Sequence, residues 1–225
     1  MPIGQAEKRI MGARGWLAHV PDTFRAEVFS RCSLSHYKPG QLIYDLGDPV
    51  GGLRGLLGGR VEVLLGNGED QHVLAHVAQP GDWFGDYAVF TRKRRMVGLR
   101  IKTAVRLLHL PLPAIDDMVA VDPGAWRWFG MLPVTNLQAA LLGVEDLMQR
   151  DSRRRCLAVL SRLAIPEQDA DGALVANVSQ DDLATMCNLS RSAVAAYLAD
   201  FEREKLIKRG YGQIRILHPA SMRGY

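Results

Sequence analysis

Apolar positions along this 225-residue chain follow two different periods. Between residues 37 and 110 they come in short alternating runs, at 41–44, 53–57, 60–65, 72–76, 99–101 and 106–110, with glycine and turn residues between them. Short strands at that spacing predict a sandwich or barrel. Asn67-Gly68, between the runs at 61–65 and 71–77, predicts a hairpin turn. A short helix is expected near 114–120, and Asp122-Pro123 predicts the start of a second helix running to about residue 150. Within it Val134, Leu137, Leu141, Val144 and Met148 alternate spacings of three and four, the seam that two parallel helices bury against each other. The other reading of that row is a helix packed on its own barrel. Pro133 removes an intrahelical hydrogen bond and predicts a kink just before the row becomes regular.

Residues 179–206 predict two short helices around a tight turn. Ser179 caps the first, with Gln180 behind it and Asp182 completing a capping-box pattern, and Leu183, Ala184 and Cys187 form its inner face. The small Ala184 lets a second helix approach closely. Asn188 tolerates the left-handed backbone that the turn needs, and Leu189 is placed to plug the corner. Ser190 caps the second helix, whose Val194, Tyr197, Leu198 and Phe201 recur on one buried side. That leaves Arg191, Ser192, Ala195 and Ala196 near its exposed N-terminal end, where a recognition helix meets base edges, and makes Ser179, Gln180, Ser190, Arg191, Ser192 and Ala196 the candidate DNA-binding residues. Residues 205–209, a turn at Gly210-Tyr211-Gly212 and a return run at 213–217 predict a wing, with Lys205, Lys208, Arg209 and Arg215 placed toward phosphates.

Charge adds little to this picture. There are 28 Lys and Arg against 24 Asp and Glu, a net +4, with 17 basic against 15 acidic residues up to position 150 and 11 against 9 after it. That balance does not support indiscriminate polyanion binding, so DNA reading rests on the helical motif. Cys32, Cys156 and Cys187 are widely separated and odd in number, and read as reduced core thiols. An iron–sulfur cluster needs four close ligands and is not expected. His72 and His76 are spaced to face one side of a strand, where a heme or metal would find them if they were not simply surface or core residues. No apolar run reaches the ~18 residues of a membrane span, and the N-terminus lacks a signal-peptide pattern, so a cytoplasmic protein is expected.

The motifs Tyr37-Lys38-Pro39-Gly40, Gly47-Asp48, Gly59-Arg60-Val61, Pro80-Gly81-Asp82-Trp83-Phe84-Gly85-Asp86 and Cys187-Asn188-Leu189-Ser190-Arg191-Ser192-Ala193-Val194 occur in that order. Together with the β-roll, long helix and winged helix-turn-helix they resemble the CRP/FNR superfamily of bacterial transcription regulators over about residues 35–217. The resemblance implies an α+β protein with a jelly-roll-like β-roll sensor domain and N-terminal helix over 1–121. A dimerisation helix over 122–150 and a winged helix-turn-helix over 151–225 complete it. It implies a homodimer, a double-stranded DNA operator and RNA polymerase as a partner.

The resemblance also implies an effector pocket after the Gly-Asp-x-x-Gly element, lined by Gly85, Asp86, Arg95, Met96, Ala140 and Leu141. Cyclic-AMP binders of the family use a glutamate, an Arg-Ser pair and adjacent hydroxyl residues there. Here Asp86 is one methylene shorter, Met96 cannot donate a hydrogen bond, and Ala140-Leu141 replace the hydroxyls, so cyclic AMP is disfavoured. Arg95 remains able to pair with an anion, although it sits in the basic run Arg92-Lys93-Arg94-Arg95. In the reading helix Arg191 matches the family's guanine-contacting arginine. Ser192 stands for the usual glutamate and Ala196 for a second arginine, so a different or relaxed target is expected.

The chain is therefore read as a dimeric, sequence-specific transcription regulator controlled at its β-roll, and not as an enzyme. Two other readings stand beside it: an effector-binding module with non-specific DNA or protein-partner binding, and a cupin-like metal enzyme, which lacks a close histidine pair plus carboxylate.

Overall fold

Strand alternation in the first half builds two four-stranded antiparallel sheets, as seen in the computed structural model, which describes residues 3–66, 72–166, 174–210 and 212–217. The strands are β1 (Ser33–Tyr37), β2 (Leu42–Tyr44), β3 (Leu53–Gly58), β4 (Val61–Gly66), β5 (His72–Ala78), β6 (Trp83–Phe84), β7 (Gly98–Ile101) and β8 (Val105–Leu110). One sheet runs β1-β8-β3-β6 and the other β2-β7-β4-β5. Tyr44, Leu56, Val61, Leu99, Ile101 and Leu107 fill the space between them. Asn67-Gly68 lies outside the described residues, but β4 and β5 pair antiparallel on either side of it, from Gly66↔His72 to Val61↔Ala78.

Three helical segments precede the strands, and the periodicity reading did not find them: α1 (Gln5–Ala13), a 3-10 turn at Trp16–His19, and α2 (Asp22–Arg31). They bury Met11, Trp16, Leu17, Phe24, Val28 and Phe29 against the roll. Trp16 packs edge-on to Phe24 and Trp83, with ring centroids 5.9 Å apart in each pair, and Phe24 meets Phe129 at 5.0 Å. Gly55 makes room for this cluster, since a Cβ there would lie 2.6 Å from the Trp83 ring.

A short helix, α3 (Asp86–Thr91), lies between β6 and β7, and after β8 come α4 (Leu112–Val121) and the 24-residue α5 (Ala125–Met148). The long helix starts later than Asp122-Pro123 implied. Asp122 closes α4 through its N–H to the Met118 carbonyl, and its carboxylate accepts from the Gly124 N–H at 2.8 Å, so the pair forms a turn between helices. Pro133 sits inside α5, which continues through it. The first part of α5 buries Ala125, Phe129 and Leu132, while Val134, Leu137, Leu141, Val144 and Met148 are 55–75% exposed. Within this chain the seam row is thus left exposed.

The chain divides into two compact units, residues 1–138 and 139–225. In the second, α6 (Ser152–Leu163), α7 (Gln180–Met186) and α8 (Arg191–Arg203) pack with a sheet ordered β11-β12-β10-β9. Its strands are β9 (Ala164–Pro166), β10 (Leu174–Ala176), β11 (Ile207–Gly210) and β12 (Gln213–Ile216). Arg155 donates to the carbonyls of Gln149 and Cys187, both at 2.8 Å, and Arg162 pairs with Asp146 at 2.5 Å. Those bonds tie the end of α5 to α6 and to the corner after α7.

Candidate effector site and nucleic-acid interface

The turn ending β6 sets up the first site. Gly85 has φ +103°, in the left-handed region, and a Cβ on it would lie 2.5 Å from Arg95 Nη1 and 2.6 Å from the Gly52 carbonyl oxygen. A glycine is required for both reasons. Asp86 follows as the first residue of α3, half-buried, and its Oδ1 accepts a hydrogen bond from Asn136 Nδ2 at 3.1 Å. Asn136 also donates to the Trp83 carbonyl at 3.2 Å. Burial raises the Asp86 carboxyl above the usual carboxylate range, against the Asn136 hydrogen bond and the Arg95 charge, which lower it.

Arg95 separates from the basic run in which it sits. Arg92 pairs with Asp116, and Arg94 donates to the Gly47 carbonyl at 2.7 Å. Arg95 turns inward and is only 6% exposed, because its backbone is pinned by Gly47 and Asp48 through two 2.9 Å bonds. Its guanidinium lies over the Tyr44 ring, 4.1 Å from the centroid, and Nη2 donates to the Gly52 carbonyl at 3.1 Å. Nε and Nη1 are buried without a hydrogen-bond partner, as is the Tyr44 hydroxyl. Gly85, Asp86 and Arg95 therefore converge. Met96 is 57% exposed, so the structure leaves it outside this cluster. Ala140 and Leu141 are both exposed and belong to the second unit, whereas Gly85, Asp86, Arg95 and Asn136 all belong to the first. Sequence reasoning missed Asn136. The available signal was a polar residue on the buried stripe of α5, seven positions after Phe129 and four after Leu132.

The raised Asp86 carboxyl has a consequence for stability. A carboxyl whose folded pKa lies above its unfolded value holds its proton better in the folded state, so ionising it opposes folding as pH rises through that interval. Asp86→Asn is expected to melt higher than the parent near neutral pH, with the difference shrinking to nothing as pH falls below the usual carboxylate range. Thermal melts of both proteins across pH 3.5–8 test this, and a gap that widens on acidification contradicts it.

His72 Nε2 lies 2.9 Å from Asp45 Oδ1, while His76 Nε2 lies 3.8 Å from Asp82 Oδ2. A register shift in the β4–β5 pair between Val63 and Leu64 separates the two histidines, so they do not converge as their spacing suggested. Among the described residues no three His, Cys, Asp or Glu side chains gather as metal ligands. Cys156 and Cys187 are fully buried and Cys32 partly so; burial pushes the Cys32 thiol up to about 12, and a hydrogen bond donated by the Cys187 thiol to Cys156, together with burial, raises Cys187. Among the described residues no helix is long and apolar enough to cross a membrane.

The second site is built by α7 and α8. Ser179 accepts the Asp182 N–H at 3.1 Å, and its hydroxyl donates to the Asp182 carboxylate at 2.6 Å. Asp182 is itself buried at the start of α7. Asn188 has φ +51° in the turn, and the Leu189 N–H bonds the Ala184 carbonyl at 3.0 Å. Ser190 caps α8 by accepting the Ala193 N–H at 3.2 Å. Val194, Leu198 and Phe201 are buried, whereas Tyr197 is partly exposed and bonds Ser152 at 2.6 Å. Arg191, Ser192 and Ala196 are exposed, with Gln180 half-buried beside them and donating to the Arg191 carbonyl at 3.4 Å. Arg191 Nε also meets Asp181 Oδ1 at 2.9 Å, an acidic neighbour the sequence reading did not place there.

The wing is shorter than expected. Lys205 has φ +59° and belongs to a turn, so the strand begins at Ile207. Arg209 bonds the Glu202 carboxylate at 2.7 Å and is held against α8. Tyr211 lies outside the described residues. The β9–β10 pair adds a second hairpin to the wing sheet, a feature the strand pattern had not suggested.

A ligand-binding β-roll, a long helix and a winged helix-turn-helix define an effector-responsive DNA-binding regulator. The family model for the cyclic nucleotide-binding domain matches residues 34–122, and that for the Crp-like helix-turn-helix domain matches residues 154–225. The HTH-type transcriptional regulator Cmr of Mycobacterium tuberculosis is 25% identical over 193 residues, covering 84% of this chain and 75% of that protein. The crystal structure of TTHA1359, a CRP/FNR family transcriptional regulator from Thermus thermophilus, superposes with a TM-score of 0.61 at 25% identity, over 85% of this chain and 97% of the other. The fold of FixK2 from Bradyrhizobium japonicum matches with a TM-score of 0.73 at 14% identity, over 86% of this chain and 96% of the other. The chain belongs to the CRP/FNR superfamily of transcription regulators.

Proposed function

We propose that two copies of this chain pair along the exposed apolar face of α5 and read a two-fold symmetric DNA site with the N-terminal end of α8, under control of a small anion held at Asp86 and Arg95. The observation that carries the reading is the split character of α8: Val194, Leu198 and Phe201 are buried while Arg191, Ser192 and Ala196 are exposed around its first turns. That is the presentation a major groove requires. Five large apolar residues at heptad spacing, each more than half exposed, support pairing through α5. A buried guanidinium with two unpartnered nitrogens supports the anion.

Selection of bound duplexes from a random pool by the full-length protein tests the DNA reading. The expected result is an enriched palindrome with a guanine at matching positions of both halves, and equal recovery of all sequences contradicts it. Cyclic AMP is expected to leave affinity for that palindrome unchanged at micromolar concentration. Asp86 already spends one oxygen on Asn136, and Met96 offers no donor to a phosphate. Calorimetric titration showing a low-micromolar dissociation constant and a matching gain in DNA binding would reverse this expectation.

A further inference from the structure

Arg54 stands in β3 two residues beyond Gly52, whose carbonyl accepts from Arg95. In the β3–β6 pair it lies opposite Phe84, the residue before Gly85 and Asp86. Its Nε and Nη1 are buried without a hydrogen-bond partner, the same condition as Nε and Nη1 of Arg95 and the hydroxyl of Tyr44. Strand alternation explains why Arg54 points into the roll. Gly55, its neighbour, lies under Trp83 on the outer face, and Leu56 belongs to the core between the two sheets, so residue 54 shares the inner side with Leu56. A guanidinium does not escape burial by losing its proton, because its pKa is too high. Burial lowers the Arg54 pKa and the Arg95 charge acts in the same direction, against Tyr37 and Tyr44, which marks the two cations as near neighbours.

We propose that Arg54 is a second anion-binding side chain of the effector site, and that the effector is a small molecule with two negative charges. The inference rests on the reading of Asp86 and Arg95 as the effector site. Four buried guanidinium nitrogens without acceptors, on two neighbouring side chains, ask for more oxygen than a singly charged group supplies. A cyclic phosphodiester carries one negative charge and leaves one of the two guanidinium groups without a counter-ion. A phosphate monoester carries nearly two negative charges at neutral pH, and a dicarboxylate carries two on separate groups. Both satisfy the pair. Asp86 does not serve instead: one of its oxygens is taken by Asn136, and none of the four nitrogens has an acceptor.

The test uses the full-length protein, its Arg54→Leu and Arg54→Lys variants, and three probes: adenosine 5′-monophosphate, glutarate and cyclic AMP. Adenosine monophosphate and cyclic AMP share a nucleoside and differ in charge, while glutarate separates dicarboxylate from phosphate recognition. Calorimetry is expected to show saturable binding of at least one of the two dianions to the parent. Arg54→Leu is expected to weaken that binding at least tenfold, and Arg54→Lys to recover a substantial part of it. Without ligand, Arg54→Leu is expected to melt higher than the parent, because two buried guanidinium nitrogens without acceptors, on a half-buried side chain, have been removed. Failure of both dianions to bind the parent overturns the proposal. So does a dianion affinity for Arg54→Leu within threefold of the parent, or tighter binding of cyclic AMP than of either dianion. A lower melting temperature for Arg54→Leu with unchanged affinity makes Arg54 a structural residue and overturns it as well. The palindrome selection is read without ligand, so loss of the dianion site leaves DNA reading standing. A dianion that binds through Arg54 without changing DNA affinity keeps the site and removes the regulatory reading.

Discussion

Replacing Leu141 and Val144 together by lysine is expected to yield a monomer whose affinity for the selected palindrome falls by roughly two to four orders of magnitude. The size follows from the loss of linked binding, since a half-site held by one reading domain gives up the effective concentration that its tethered partner supplies. Both side chains are more than half exposed in the single chain, at 60% and 55%, so the substitution leaves the folded protomer intact. In the pair they would become buried like charges along an apolar seam, and an uncompensated buried charge costs several kcal/mol. Sedimentation velocity and fluorescence anisotropy on the same samples check the two halves of the expectation. An intact dimer that still binds DNA would take α5 out of the interface.

Arg191→Ala is expected to weaken binding to the selected site by about 1–3 kcal/mol per half-site and to relax the preference for one guanine in each half, since it removes a bidentate contact to a base edge. In the unbound protein Arg191 is paired with Asp181, but the two side chains are 73% and 62% exposed. Solvent screens such a pair, and it is worth at most ~1 kcal/mol, so a guanine displaces it readily. Asp181→Ala is the matched control: it removes a negative charge near the reading helix, raises affinity modestly on every sequence, and leaves the guanine preference unchanged. Binding measured on the parent palindrome and on a version with that guanine replaced separates the outcomes. Equal weakening on both duplexes by Arg191→Ala would reassign the arginine to a phosphate.

Both predictions draw on features readable in the sequence, and the reason lies in their locality. Ser179, Asn188 and Ser190 act on backbone groups within three to four residues of themselves, and the structure shows each doing so. The same holds for the alternating strands and for the row of α5, whose spacing needs no knowledge of what it will meet. Boundaries moved where a local signal had a competing use. Asp122 reads as a helix cap but closes α4 and shapes the following turn. The run from Lys205 reads as strand, but it first makes a left-handed turn that brings the Leu206 N–H to the Phe201 carbonyl at 2.9 Å. The N-terminal helices gave no periodic signal, because Trp16, Phe24 and Val28 are ordered by contact with Trp83 and Phe129, residues far along the chain. An N-terminal helix is expected from the resemblance alone.

By itself the sequence determined the order of the parts, the caps and turn of the reading unit, and the heptad row on the long helix, all of which follow from interactions within a turn or a strand. Only the tertiary structure decided the composition of the proposed effector site. Tyr44 comes from β2, Arg54 and Gly52 from β3, Asp86 from the start of α3, Arg95 from the loop before β7 and Asn136 from α5. No periodicity links those positions, because sheet pairing and helix packing bring them together. Burial then separates one arginine of a basic run from its neighbours: Arg92 and Arg94 find partners at the surface, while Arg95 is carried into the roll, where its charge has to be answered by something other than water.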